Sequence, residues 1–122
     1  MGSSPIFHPK PRVEKSTSGL FASMFYYVYI LYSKKLDIFY RGYTSDVSNR
    51  LERHNSGYEI STSPGVPWIL VWQTTKNSRS EAMDLENKLK NLSRRRLIRF
   101  MLKYKESIVD SGIKVFLQDL VN

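Results

Sequence analysis

The sequence predicts a mixed α/β (α+β) domain: a small three-stranded antiparallel sheet flanked by helices. Three observations point there. Two aromatic and β-branched runs, Phe25 to Tyr32 and Ile38 to Tyr43, are separated by a short polar break, and an antiparallel hairpin is the simplest way to join them. A third apolar run, Trp68 to Trp72, follows a loop rich in Ser, Thr, Pro and Gly. Before and after that run lie segments with apolar residues at helical spacing and capping residues at their starts. The 122 residues suffice for one compact domain and a tail, and a composition of 41% hydrophobic and 25% charged residues excludes wholesale disorder.

Residues 1–23 carry Pro5, Pro9, Pro11 and Gly19 with no sustained periodicity, and they lack the apolar centre of a secretory signal. They are expected to form a disordered leader outside the fold, either added to the natural chain or arising from an alternative start. Met24 directly precedes the first strand and is a candidate natural start. The folded domain is expected over residues 24–105.

The first strand is rich in tyrosine, valine and isoleucine, which suit a pleated surface. After the second strand, Thr44-Ser45-Asp46 opens a helix, with Ser45 as the expected cap and Asp46 suited to the positive end of the dipole. That helix runs through Val47, Arg50, Leu51 and His54, and Gly57 is placed to end it. Trp68 to Trp72 is apolar on both faces and is expected to be the central strand. Ser78-Arg79-Ser80-Glu81 reads as a capping box before a helix whose stripe is Ala82, Leu85, Leu89 and Leu92. Ser93 caps a further helix with Leu97, Phe100, Met101 and Tyr104 on its apolar side. Residues 106–122 alternate polar and apolar too briefly to assign, and form a C-terminal extension of open structure.

Nineteen Lys and Arg against eleven Asp and Glu leave a formal charge of +8, an excess that attracts polyanions. It leaves DNA, RNA and an anionic membrane surface open as partners. The chain has no cysteine, which excludes disulfide scaffolds, thiolate zinc sites and cysteine nucleophiles, and fits a reducing, cytoplasmic setting. No apolar run approaches the length of a membrane span.

Three features bear on chemistry. Six of the eight tyrosines lie between Tyr26 and Tyr43; alternation puts Tyr27 and Tyr29 on one face, and Tyr40 with Gly42 on the second strand. Suitable register sets the phenols of Tyr29 and Tyr40 side by side, with Gly42 leaving room for a ligand's backbone. The plainer reading is that tyrosine is simply a good strand residue. Arg50 and His54, four apart, share a helix face; they suit phosphate binding and proton handling, or a solvated face. Glu86 stands at the edge of its helix's apolar stripe, positioned either for a cleft or for an ion pair with Lys90. One such carboxylate can suffice for Mg²⁺ where waters and phosphate oxygens complete its shell.

The order of these features is more informative than any one of them. Tyr27-Val28-Tyr29, followed by Tyr40-Arg41-Gly42, resembles the paired tripeptides of the GIY-YIG endonuclease family. The likeness continues through Thr44, Arg50, His54, Asn55, Gly57, Thr62, Pro67-Trp68 and Glu86, spanning about residues 24–100, and is greatest to small stand-alone members. The resemblance implies a metal-dependent DNA endonuclease with a β-β-α-β-α core. It implies Tyr29 as general base, Tyr40 as the positioning tyrosine, Arg50 on the scissile phosphate, His54 assisting proton transfer or positioning, and Glu86 as ligand of Mg²⁺ or Mn²⁺. No second DNA-reading domain is evident, so selection by DNA structure rather than sequence, in repair or genome maintenance, is the expectation.

Two positions depart from the family pattern. Arg41 stands where the second tripeptide is normally aliphatic. If its face of the strand is covered, the cation is costly; if open, it can contact nucleic acid. Ile98 stands where some members carry asparagine. Farther on, Lys90, Arg94, Arg95, Arg96, Arg99, Lys103 and Lys105 occupy a stretch without any acid, suited to a phosphate backbone, a membrane surface or plain solvation. Beside a nuclease-like core the phosphate backbone is the better fit. The alternative to an enzyme is a nucleic-acid-binding protein that keeps the fold without turnover.

Overall fold

The computed structural model describes residues 25–121; the expected leader, 1–23, lies outside them. Strands β1 (Tyr26–Ser33) and β2 (Ile38–Thr44) form the antiparallel hairpin, with Tyr29 opposite Gly42 and Leu31 opposite Tyr40. Its tip is tied down. Asp37 adopts a positive φ of 57°, a conformation its short polar side chain tolerates better than most. Its amide donates to the Ser33 carbonyl at 2.7 Å, and its carboxylate accepts from the Tyr32 hydroxyl at 2.5 Å.

β3 (Trp68–Lys76) pairs antiparallel with β1, so the strand order is β2-β1-β3. The expectation of a central third strand is therefore corrected: β1 is central and β3 lies at the edge. β1 is buried without interruption from Val28 to Ser33. β3 is apolar on both faces because both are covered: Trp68 and Leu70 pack with Tyr29 and Leu31, while Val71 and Trp72 pack with Val28 and Ile30. Its outer edge is partly covered by the C-terminal segment, where Ile108 bridges to Trp72 and the Val109 amide donates to the Val71 carbonyl at 3.2 Å.

Helix α1 (Val47–Asn55) starts one residue later than Ser45 suggested. The cap is Asp46, whose carboxylate accepts from the Asn49 amide at 3.0 Å. Gly57, at φ 80°, ends the helix as expected. Helix α2 (Arg79–Lys90) is capped by Ser78. The Glu81 carboxylate reaches back to the amide of Asn77, one residue before the position a capping box prescribes. Ser93 caps α3 (Arg94–Lys103).

The C-terminal extension is a short 3₁₀ turn followed by helix α4 (Ser111–Val121), with Asp110 accepting from the Ile113 amide at 2.8 Å. Leu117 is fully buried, so this segment belongs to the core.

The sheet has two differently covered faces. On one, Val28, Ile30 and Tyr32 meet Ala82 and Leu89 of α2, Leu97, Ile98 and Met101 of α3, and Leu117 of α4. Ile98, the second departure from the family pattern, is thus a core residue. On the other face, Tyr29 and Leu31 pack with Trp68, Tyr40 and Leu51 of α1 in a smaller cluster. Most of the buried apolar area lies on the first face; the chemistry-bearing side chains lie on the second and around the edge of β2.

Candidate active site

Tyr29 is 1% exposed, and the reason it fits is its partner across the hairpin. A Cβ on Gly42 would lie 2.5 Å from the Tyr29 hydroxyl oxygen and 2.6 Å from Cζ. The space beside Gly42, expected to admit a ligand's backbone, is instead filled by this phenol. The tyrosine ring lies across β2 because residue 42 has no side chain.

His54 sits behind that phenol. Its Nε2 lies 3.1 Å from Tyr29 Oη and its Nδ1 lies 2.9 Å from Thr62 Oγ1. Both ring nitrogens are thereby engaged in a residue only 1% exposed. Tyr40 closes the cluster, its ring centroid 4.9 Å from that of His54 and 6.3 Å from that of Tyr29.

The support beneath His54 explains several positions that carried the family resemblance. The Asn55 side chain clamps the start of β3, donating to the Trp68 carbonyl at 3.0 Å and accepting from the Trp68 amide. The Trp68 indole donates to the Thr62 carbonyl at 2.7 Å. Gly65 is required beneath that ring, since a Cβ there would fall 2.5 Å from Trp68 Cζ2. This scaffold holds Thr62, and Thr62 meets His54.

A cleft of ≈ 380 Å³ opens over the C-terminal half of β2. Tyr29 of β1, Tyr40 of β2, Arg50 of α1 and Glu86 of α2 all line it. Four expected site residues from four elements thus meet in one place, with His54 directly behind Tyr29. Glu86 is the one carboxylate among the described residues lining the cleft. Both readings of it coexist, because its Oε2 also lies 3.3 Å from Lys90 Nζ.

The electrostatics follow from burial. Desolvation pushes the Tyr29 phenol well above the usual tyrosine range; Tyr40 adds to the rise and the Arg50 guanidinium opposes it. Tyr40 is also raised, chiefly by burial, against the pull of Lys90. Burial lowers His54 below its ordinary value, opposed by Glu59. An imidazole so placed is neutral at pH 7 and retains one nitrogen as an acceptor.

No group of three or more His, Cys, Asp or Glu positioned for a metal occurs among the described residues. Glu86, the one carboxylate in the described lining of the cleft, could give a hard divalent cation a single protein oxygen, the rest of its shell coming from water and phosphate. Such a site does not resemble an all-protein cage.

The expected nucleic-acid contacts separate into different environments. Arg41 adopts the covered-face alternative. It projects away from the cleft, half-buried, with Nη2 donating to the Leu92 carbonyl at 3.2 Å and Nη1 to the Phe39 carbonyl at 3.4 Å. Its buried Nε has no partner, and desolvation lowers its pKa. Arg94 ties α3 to the hairpin tip, donating to the Asp37 carbonyl at 2.6 Å and carboxylate at 3.0 Å. Arg95, Arg96 and Arg99 are exposed on α3, and Lys90 is exposed and paired with Glu86.

Sequence reasoning missed Arg79 and Tyr43, which also line the cleft. Arg79 read as part of a capping box and Tyr43 as one more strand tyrosine. Only their approach in space, at 3.4 Å, marks them.

Comparison with known proteins places these features in a family. The family model for the GIY-YIG catalytic domain matches residues 25–99. UPF0213 protein SH2523 of Staphylococcus haemolyticus is 36% identical over 77 residues, covering 62% of this chain and 93% of that protein. UPF0213 protein BH0048 of Halalkalibacterium halodurans is 42% identical over 74 residues, covering 60% and 78%. A solution NMR structure of UPF0213 protein BH0048 from Bacillus halodurans matches with 38% identity and a TM-score of 0.43, covering 69% of this chain and 87% of that one. No helix among the described residues is long and apolar enough to cross a membrane.

Proposed function

Because the chain belongs to the GIY-YIG catalytic domain family, we propose that it is a metal-dependent endonuclease hydrolysing phosphodiester bonds in DNA. It selects by strand structure rather than by sequence and serves repair or genome maintenance in the cytoplasm. The observation that carries this reading is the convergence of Tyr29, Tyr40, Arg50 and Glu86 on one cleft, backed by His54.

Arg50 binds the scissile phosphate, to which its fork of donors is suited, and stabilises the charge that develops there. Tyr29 and His54 act together on the attacking water. Thr62 Oγ1 donates to the Glu59 carbonyl at 3.5 Å, which leaves its oxygen to accept from the His54 Nδ1–H. Nε2 then carries the lone pair and accepts from the Tyr29 hydroxyl. As the water gives its proton to Tyr29 Oη, the phenol passes its own to Nε2. The phenol never has to persist as an anion in a site where burial disfavours one. Tyr40 positions the water or phosphate beside them. Glu86 would hold Mg²⁺ or Mn²⁺, which when bound would supply Lewis-acid stabilisation of the charge developing on the phosphate.

Arg95, Arg96 and Arg99 supply backbone contacts outside the cleft, with Lys90 and Arg94 adding charge from within their ion pairs. Such contacts bring affinity without sequence preference. RNA as a substrate is an outcome of the same test. Arg41, bonded to carbonyls on the far side of β2, is left out of this surface.

The test is incubation of the purified chain with branched, single-stranded and duplex DNA in Mn²⁺. Cleavage that disappears in both Glu86→Ala and Tyr29→Phe is expected. Binding without cleavage across DNA, RNA and several metals overturns the enzyme and leaves the binding protein.

A further inference from the structure

The cleft holds more than the proposed mechanism uses. At ≈ 380 Å³ it has room for roughly a dozen waters, a volume that extends beyond one phosphate group. Its lining contains two arginines from different helices, Arg50 and Arg79, against the single carboxylate of Glu86. Glu86 is already matched by Lys90. Arg79 forms no ion pair among the described residues, and its partner there is a hydroxyl: Nε donates to Tyr43 Oη at 3.4 Å.

That bond orients the guanidinium without occupying the two Nη groups. Tyr43 is well suited to the task because its ring packs against the helix-side core while its hydroxyl reaches the cleft. The placement of Arg79 is otherwise unfavourable. It is the first residue of α2, where the positive end of the helix dipole repels a cation. A planar fork at the mouth of a cationic cleft suits a phosphodiester, which it can grip through two hydrogen bonds.

We infer that Arg79, oriented by Tyr43, is a second phosphate-binding residue. It takes the phosphate next to the scissile one on the same DNA strand. This rests on the nuclease reading above and extends it: the cleft grips two consecutive phosphates, Arg50 the reacting one and Arg79 its neighbour. The second grip sets the direction in which the strand lies across Tyr29.

The experiment is a binding scan with the full chain in Ca²⁺. Each probe is a fluorescein-labelled splayed-arm duplex, whose junction fixes the register of a structure-selective protein, and in which one phosphate of one single-stranded arm is replaced by a neutral methylphosphonate. Arg79→Ala is expected to weaken binding of the unmodified strand about tenfold, as loss of one charge-assisted bidentate contact implies. It is also expected to lower the slope of log K against log salt by about 0.7, the value for one phosphate contact on a single strand. One methylphosphonate position weakens the wild type but not Arg79→Ala, and the adjacent position behaves in that way toward Arg50→Ala. Arg79→Lys restores part of the salt slope, and Tyr43→Phe loses less than Arg79→Ala.

If the Arg79→Ala and methylphosphonate penalties add at every position, or the salt slope is unchanged, the second subsite is overturned while the nuclease reading stands. A wild type that binds neither the splayed-arm probes nor plain duplex DNA overturns the nuclease reading and the subsite with it. Unfolding curves for each variant separate either result from a loss of fold.

Discussion

The hydroxyl of Tyr29 and Nε2 of His54 lie 3.1 Å apart, joining two side chains that are each 1% exposed, one of them lining the cleft. Burial lowers the His54 pKa, so the imidazole stays neutral, and able to accept a proton, to a pH below the ordinary histidine value of about 6.5. The acid limb of the cleavage-rate profile is therefore expected below that value. His54→Gln keeps an acceptor without a base and should cost about 10²–10⁴-fold in rate. An acid limb above the ordinary histidine value, or a fully active His54→Gln, would count against the relay.

The same group links pH to stability. The folded state binds its proton less readily than the unfolded chain, so the stability contribution of neutral His54 is full above the unfolded pKa. It is lost as pH falls from there through the lower folded pKa. Denaturant unfolding of the wild type and His54→Gln at several pH values reads this directly, with the wild type showing the steeper decline on acidification.

Gly42→Ala tests the register of the hairpin. The added methyl would meet Tyr29 at 2.5 Å, and the buried ring can yield only by disturbing its contact with His54. Overpacking of this kind costs about 1–3 kcal/mol. Cleavage should fall together with the melting temperature. A variant as stable and active as the wild type would show that the phenol does not occupy that space.

Arg41 offers a contrast. Its Nε is buried without a partner and its Nη groups reach backbone carbonyls away from the cleft. Arg41→Leu restores the aliphatic character usual at this tripeptide position and removes a partly desolvated cation, though it releases the Leu92 carbonyl. Exchanges of this type are often neutral or stabilising. Arg41→Leu is therefore expected to leave stability within about 1 kcal/mol of the wild type and to leave cleavage unchanged. A large loss of nucleic-acid affinity at constant stability would return Arg41 to the binding surface.

The C-terminal helix can be tested as part of the core. Leu117 is fully buried among residues of the sheet and α3, so Leu117→Ala should destabilise by about 2–5 kcal/mol. Removal of residues 106–122 should cost more, because it also strips Ile108 and Val109 from the edge of β3. Urea denaturation of the three chains checks the ranking.

Much of this fold is legible in the sequence. The hairpin, the helices up to Lys103 and their stripes follow from periodicity and capping residues, which are local properties of the chain. The order of strands is not local. β3 has the composition of a central strand, yet it lies at the edge beside β1, and its two faces are covered by segments remote in the chain. Helix α4 carries a readable signal in Ile113, Phe116 and Leu117, but too short a one to separate from an alternating strand without its packing.

For the candidate site, the sequence by itself determined the residue types and their order: two strand tyrosines, an arginine and histidine one turn apart, a glutamate on a later helix. That much depends only on strand and helix repeats and on the resemblance they carry. Tertiary structure alone decided that Gly42 makes way for a tyrosine rather than for a ligand. It also decided that Arg41 turns to the covered face, that Thr62 engages the far nitrogen of His54, and that Arg79 enters the cleft. Each of these depends on a distance between segments remote in the chain, and such distances are set by how the two faces of the sheet are packed.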